Sequence, residues 1–245
     1  NPARHIGVAS IPLLWDVQQA VEAVRWCVDN GLRAVMIPTL WGEHPAYHHT
    51  RYDPFWEVCE DLGVIVHFHS GPAPHPEYFG KNWPVEDDSQ HMPGAMGVYV
   101  SEVMWWLYRP LTFMIWGGVF ERFPRLKTVI VEGGTMFMLP PWLRLLDHNY
   151  QDVQFSAKLG NFRSHLSMAP SDYYRRNIAI GASCVPRADL DLRQAIGTQQ
   201  IMWGSDYPHP EGTWPNTAAY FKSTFAGFPE ADGRKILGDN AIKFY

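Results

Sequence analysis

A parallel α/β fold is the architecture this sequence predicts, and three observations predict it. Six short apolar runs recur along the 245 residues, at 6–12, 34–38, 64–71, 128–134, 177–181 and 201–206. Stretches with apolar residues at helical spacing lie between them, and short apolar runs alternating with helices are the pattern of parallel strands covered on both faces. The polar residues of the runs gather at their C-terminal ends, as His67 and His69, Glu132, and Asp206. In barrels and open sheets of this class that end carries the site.

The elements follow in order. Run 6–12 is closed by Pro12, and from Asp16 the pattern becomes Val17, Ala20, Val21, Val24 and Val28, a helix with Asp16 as N-cap and Gly31 as the stop beyond it. Residues 34–38 form the second strand. Asp53 and Pro54 supply a cap and a first-turn proline for a helix to about residue 62, and Gly63 releases the chain into the third strand. A helix over about 96–122 precedes the fourth strand, and one over about 141–151 precedes the fifth. The sixth leads into helices near 215–226 and 231–237. Residues 71–95, rich in Pro, Gly and His, read as a long loop over the strand ends, and 152–176 as a second irregular stretch. No linker or low-complexity tract divides the chain, so a single domain is expected over 1–245.

Composition removes several function classes. With 20 Lys+Arg against 25 Asp+Glu the net charge is −5, which leaves no basic excess for nucleic acid. A hydrophobic fraction of 46% supports a substantial core. No run approaches the roughly 18 apolar residues of a membrane-spanning helix, so no membrane partner is expected. Cys27, Cys59 and Cys184 form no CxxC pair and read as reduced thiols of a cytoplasmic protein. Eleven His and 11 Trp point to a small-molecule pocket, although core packing accounts for many of them singly. Neither a nucleotide-binding glycine loop nor a GxSxG elbow occurs.

Three motifs carry chemistry. In HFHSG, 67–71, side chains at i and i+2 of a strand share a side, so His67 and His69 face one way with His69 nearer the rim. Two such imidazoles either share a metal, divide ligand and proton-transfer roles, or sit satisfied in a polar pocket. In GSDYPHPEG, 204–212, a strand ends at Asp206 and turns through Pro208 and Pro210, placing His209 and Glu211 in the loop. A carboxylate at a strand's tip binds a cation, orients its water, or merely caps the turn. In VEGG, 131–134, a lone glutamate ending a buried strand needs a metal, a ligand or a salt bridge. His44, His48 and His49 fall in a loop that reads as solvated. His75, His91 and Arg109 read as surface or packing residues, and Cys27 and Cys59 lie inside helices.

The segments HSG at 69–71, FPRLKTVIVEGG at 123–134 and IMWGSDYPHPEG at 201–212 resemble the amidohydrolase-related branch of the metal-dependent amidohydrolase superfamily, and KILGDNAIKFY at 235–245 resembles its terminal helix. That branch includes aminocarboxymuconate-semialdehyde decarboxylase and the aromatic-acid decarboxylases. The resemblance implies a (β/α)8 TIM-type barrel with a metal at its C-terminal mouth, held by His69 from strand five and Asp206 from strand eight. Glu132 stands where the family often has a catalytic histidine. The family's strand-one Asp/His-x-His motif has no counterpart before Ile6, so the six strands match strands three to eight, and the first two βα units, roughly 60–100 residues, are expected to lie outside this chain.

The expected function is a metal-dependent hydrolase or non-oxidative decarboxylase of a small carboxylated or cyclic substrate, with zinc, or else manganese, as cofactor. His69 and Asp206 are the expected metal ligands. Asp206 also orients and deprotonates metal-bound water, and Glu132 and His209 move protons or contact substrate. Two alternatives stand beside it: a degenerate, non-catalytic binding or structural protein on the same barrel, and a metal-independent enzyme pairing His67 with Glu132. The Trp-rich helix around Trp105, Trp106 and Trp116 serves either a homodimer interface or packing on the barrel.

Overall fold

The computed structural model describes residues 5–69, 97, 101–103, 105–132, 136–152 and 157–245. The chain forms two compact units, 1–119 and 120–245. The loop expected at 71–95, with His75 and His91, and the glycines of VEGG lie outside the described residues.

In the first unit β1 (Val8–Ser10), β2 (Ala34–Ile37) and β3 (Ile65–His69) make a parallel sheet in chain order. Val8 stands opposite Ala34, and Ala34 opposite Ile65. Helix α1 (Val17–Asp29) begins as expected: the Asp16 carboxylate accepts from the backbone N–H of Gln18 and Gln19, at 2.8 and 3.1 Å. Its buried stripe is Ala20, Val21, Val24 and Cys27, and it packs on α2 (Asp53–Leu62). Asp53 does not cap α2. A 3₁₀ turn over Thr50–Tyr52 runs straight into the helix, so Tyr52 takes the cap position and Asp53 lies in the first turn, where its charge faces the positive end of the helix dipole. Gly63 ends α2 at φ 65°, a left-handed position suited to glycine.

Of the helix expected over 96–122, part lies outside the described residues, Gly97, Ser101 and Glu102 are helical, and the C-terminal part is broken. Helix α3 spans Trp105–Trp116, and a single turn, α4 (Val119–Arg122), follows Gly117 and Gly118. Gly118 has φ 69°, which breaks the helical ladder. Within the first unit, α3 seats the segment after β2: Phe113 meets Trp41 edge-on at 5.0 Å and stacks with His48 at 5.1 Å, and the Arg109 guanidinium lies 5.7 Å from the rings of Trp41 and Phe113. Tyr47, from that same segment, is fully buried and donates to the Pro38 carbonyl at 2.5 Å. The loop is therefore anchored by its aromatics, while His44, His48 and His49 remain exposed.

In the second unit β4 (Thr128–Val131), β5 (Ile178–Ser183) and β6 (Ile201–Gly204) are again parallel and in chain order. Around them lie α5 (Leu139–Gln151), α6 (Pro170–Asn177), α7 (Arg187–Asp191), α8 (Arg193–Ile196), α9 (Thr217–Thr224), α10 (Glu230–Arg234) and α11 (Asn240–Phe244), with a π-helical turn over Lys235–Asp239 between the last two. Helix α6 occupies the end of the stretch read as irregular. Two buried amides fix strand entries: Asn177 Nδ2 donates to the carbonyls of Pro124 and Leu126, and Asn240 Nδ2 to those of Thr198 and Ile201. No helix among the described residues is long and apolar enough to cross a membrane.

Candidate functional site

Strand β3 carries the histidine pair of the first unit. Ile65 to Phe68 are buried and His69 is exposed at the C-terminal end, so the two imidazoles differ sharply in surroundings. Burial pulls the His67 pKa down to about 4, which leaves this ring neutral at pH 7. The backbone carbonyl of His69 is fixed by the buried Thr39 hydroxyl, which donates to it at 2.6 Å.

In the second unit three strands in succession deliver a chemistry-bearing residue at the C-terminal end. Glu132 directly follows β4, Cys184 directly follows β5, and Asp206 lies two residues beyond β6. All three take left-handed backbone, at φ 56, 49 and 58°, and they are the three non-glycine residues with positive φ among the described residues. Left-handed backbone costs an ordinary L-residue about 1–2 kcal/mol, least for aspartate, and such conformations cluster at functional sites. Glu132 is half-buried rather than enclosed, so the desolvation argument made for it from sequence is weaker than expected.

The loop after β6 is a set of tight turns. His209 N donates to the Asp206 carbonyl at 2.7 Å, Gly212 N to that of His209 at 2.9 Å, and Thr213 N to that of Ser205 at 3.0 Å. These bonds bring the His209 ring back to Asp206, with Nδ1 3.5 Å from Oδ2. The Glu211 N–H donates to the same Nδ1 at 3.2 Å, so the neutral ring carries its proton on Nε2. Gly212 is required here, because a Cβ would stand 2.8 Å from the carbonyl oxygens of Ser205 and Asp206 and 2.9 Å from that of His209.

Cys184 is the residue that sequence reasoning missed. Its thiol donates to the Glu211 carbonyl at 3.4 Å, and its pKa is raised first by burial and then by the charge of Asp206, with smaller contributions from Glu211 and Glu132. A thiol so placed stays protonated and is a poor nucleophile. The available signal was its position directly after an apolar run, the same signal that singled out Glu132.

The structure thus joins Asp206, His209, Glu211, Cys184 and Glu132 in one neighbourhood of the second unit, and puts His67 and His69 at the corresponding end of β3 in the first. Imidazole nitrogen and carboxylate oxygen suit a borderline divalent cation, so the donor chemistry of His69 and Asp206 fits zinc or manganese. Among the described residues no group of three or more His, Cys, Asp and Glu side chains is gathered for a cation.

Comparison with known proteins agrees with this layout. A 2-amino-3-carboxymuconate-6-semialdehyde decarboxylase of Dictyostelium discoideum is 23% identical over 245 residues, which is all of this chain and 62% of that protein. The chain therefore spans under two thirds of the length of this relative. The crystal structure of 5-carboxyvanillate decarboxylase from Sphingomonas paucimobilis matches with a TM-score of 0.76 at 24% identity, over 100% of this chain and 68% of that one. A dihydroxybenzoic acid decarboxylase from Polaromonas sp., solved with bound manganese and an inhibitor, 2-nitroresorcinol, matches with a TM-score of 0.72 at 21% identity, over 100% and 70% of the two chains. These likenesses show the fold: the chain shares the parallel α/β architecture of both enzymes. The family model described as "Amidohydrolase" matches residues 1–245, and the chain belongs to that family.

Proposed function

We propose that this chain is the catalytic part of a divalent-metal-dependent decarboxylase acting on a small carboxylated aromatic or unsaturated substrate, built on one barrel domain over 1–245. The observation that carries the reading is the delivery of Glu132, Cys184 and Asp206, all in left-handed backbone, at the C-terminal ends of three consecutive parallel strands in a chain of the amidohydrolase family. The decarboxylase relatives favour carbon–carbon cleavage over hydrolysis.

His69 and Asp206 would hold the cation, zinc or the manganese found in the Polaromonas relative. When bound, it would supply a positive charge that polarises an oxygen of the substrate. The chain's own residues then manage protons. Loss of carbon dioxide leaves an electron pair on the substrate carbon, which must take up one proton. Nε2 of His209 and the Glu132 carboxyl are the groups assigned to hold it. Asp206 lies 3.5 Å from His209 Nδ1, and that nitrogen accepts the Glu211 N–H, which leaves the ring proton on Nε2 as the one to be donated. The turns of 205–213 keep that ring beside the carboxylate through the backbone bonds at Asp206, His209 and Thr213.

The test is turnover of 5-carboxyvanillate, a dihydroxybenzoate and aminocarboxymuconate semialdehyde by purified protein loaded with zinc or manganese, followed by loss of substrate absorbance. One of them should be consumed, and Asp206→Asn should lower turnover by more than the roughly 100-fold typical of groups that only support a metal ligand. Hydrolysis of lactones with no decarboxylation would overturn the reading. A homodimer through the face holding Trp105, which is 47% exposed, and a cytoplasmic setting for the three free cysteines complete the proposal. Sedimentation velocity checks the first.

A further inference from the structure

At the opposite end of the second unit's strands lies a cleft of about 140 Å³, roughly ten times the 10–15 Å³ that a single water needs. It is lined by Lys127, which precedes β4, by Ile178 and Ala179 at the start of β5, by Gln200, which precedes β6, and by Arg175, Arg176 and Lys243. Four cationic side chains thus face one small cavity with no carboxylate among its lining residues, in a chain whose net charge is −5.

Part of this charge has structural work. Arg175 Nη1 pairs with Asp172 at 3.0 Å, and Arg176 Nε bonds Asn177 Oδ1 at 2.9 Å. Lys127 Nζ donates to the Arg176 carbonyl at 3.2 Å and lies 5.3 Å from the centre of the Phe244 ring. These contacts fit cations at the C-terminal end of α6, where the helix dipole is negative. Arg175 Nη1 also donates to Ser171 Oγ at 3.0 Å and Arg176 Nη2 to the Phe120 carbonyl, and donors remain beyond these, since an arginine has five N–H groups and a lysine three. Lys243, in the last turn of α11, makes no ion pair among the described residues. The cations also feel one another: burial first, then Lys243 and Arg176, hold the Lys127 ammonium below its ordinary pKa. Mutual repulsion of this kind is what a bound anion would relieve.

We propose that this cleft at the N-terminal ends of β4, β5 and β6 binds a phosphate-bearing anion, with Lys127, Arg175, Arg176 and Lys243 supplying the charge. Guanidinium forks and ammonium groups together match a tetrahedral oxyanion. The site lies at the other end of the strands from Asp206 and is independent of the reaction proposed above.

Isothermal titration calorimetry with inorganic phosphate and with glycerol 3-phosphate, on the purified chain in about 0.15 M chloride, tests it. Saturable binding is expected. Inorganic phosphate alone would assign the cleft to the free ion, and both ligands to the phosphate group of a larger molecule. Lys243→Gln, at an exposed residue, should fold normally and weaken binding about fivefold, Lys127→Gln combined with it should weaken binding further, and Asp206→Asn should leave it unchanged. The proposal is overturned if neither anion gives saturable heat, if Lys243→Gln binds as tightly as the parent chain, or if Asp206→Asn abolishes binding.

Discussion

Gly212 shows how a single residue holds the shape of the loop that presents Asp206 and His209. The three oxygens that crowd its absent Cβ belong to backbone, and each already accepts a turn hydrogen bond, so they have little freedom to retreat. Gly212→Ala should destabilise the second unit by about 1–3 kcal/mol and lower turnover, read by thermal denaturation and steady-state assay. A variant with unchanged midpoint and rate would show that the turns are softer than their geometry implies. Asp206 stood out in the sequence because a charged residue ended an apolar run, and His209 because it follows in the same proline-rich loop. Gly212 was not, since its requirement comes from three carbonyls that only the folded turns bring together. Asp189 makes a second residue-scale case. It is 5% exposed, one carboxylate oxygen has no partner, and its pKa is raised by burial, an effect that backbone N–H groups of Phe137 and Met136 partly offset. A carboxyl whose folded pKa is raised binds more protons in the folded state, so its contribution is most favourable at low pH and is lost as pH rises from the unfolded value of 3.8 through the folded one. Asp189→Asn removes that penalty and should raise the melting point at pH 7 by a few degrees, for about 1 kcal/mol. The gain should shrink toward zero near pH 4. Equal gains at both pH values would assign the effect to packing instead.

Elements were legible where apolar periodicity and a cap coincided. Helix α1 is the clearest: Asp16 caps it and its buried stripe is the one the spacing selects. Asp16→Ala should cost about 1 kcal/mol, seen as a fall of roughly 2–4 °C in the melting point, and Asp16→Ser should restore most of it. Helix α6 was hidden for the opposite reason. Its sequence, PSDYYRRN, is polar throughout, and it buries Tyr173, Tyr174 and Asn177 instead of an aliphatic stripe. Such a helix is held by hydrogen bonds, as when Asn177 ties to the carbonyls before β4, and those partners lie about 50 positions away in sequence. The long helix expected before β4 failed at a local signal, the Gly117–Gly118 pair, which the surrounding apolar residues outweighed in the periodicity. A Cβ at Gly117 would also stand 2.2 Å from the Cβ of His48, a tertiary constraint no local pattern contains.

For the molecule as a whole, parallel architecture was readable because strands buried on both faces have little choice of residue: ten of the fourteen residues of β2, β4 and β5 are Ala, Val or Ile. The family's metal chemistry is less firmly written, since it needs donors from distant points of the chain, and its decisive test is thermodynamic. A ligand that binds only the folded state stabilises it by about 2.7 kcal/mol when present at 100 times its dissociation constant. For a chain of 245 residues that corresponds to a rise of roughly 5–10 °C in the melting point. Saturating zinc or manganese should produce this rise in the chelator-treated protein, and His69→Ala and Asp206→Asn should each remove most of it while leaving the metal-free melting point near that of the parent chain. This readout does not depend on guessing the substrate. Retention of the full rise in either variant would transfer the ion to other residues, and Asp206 would then keep only its contact with His209.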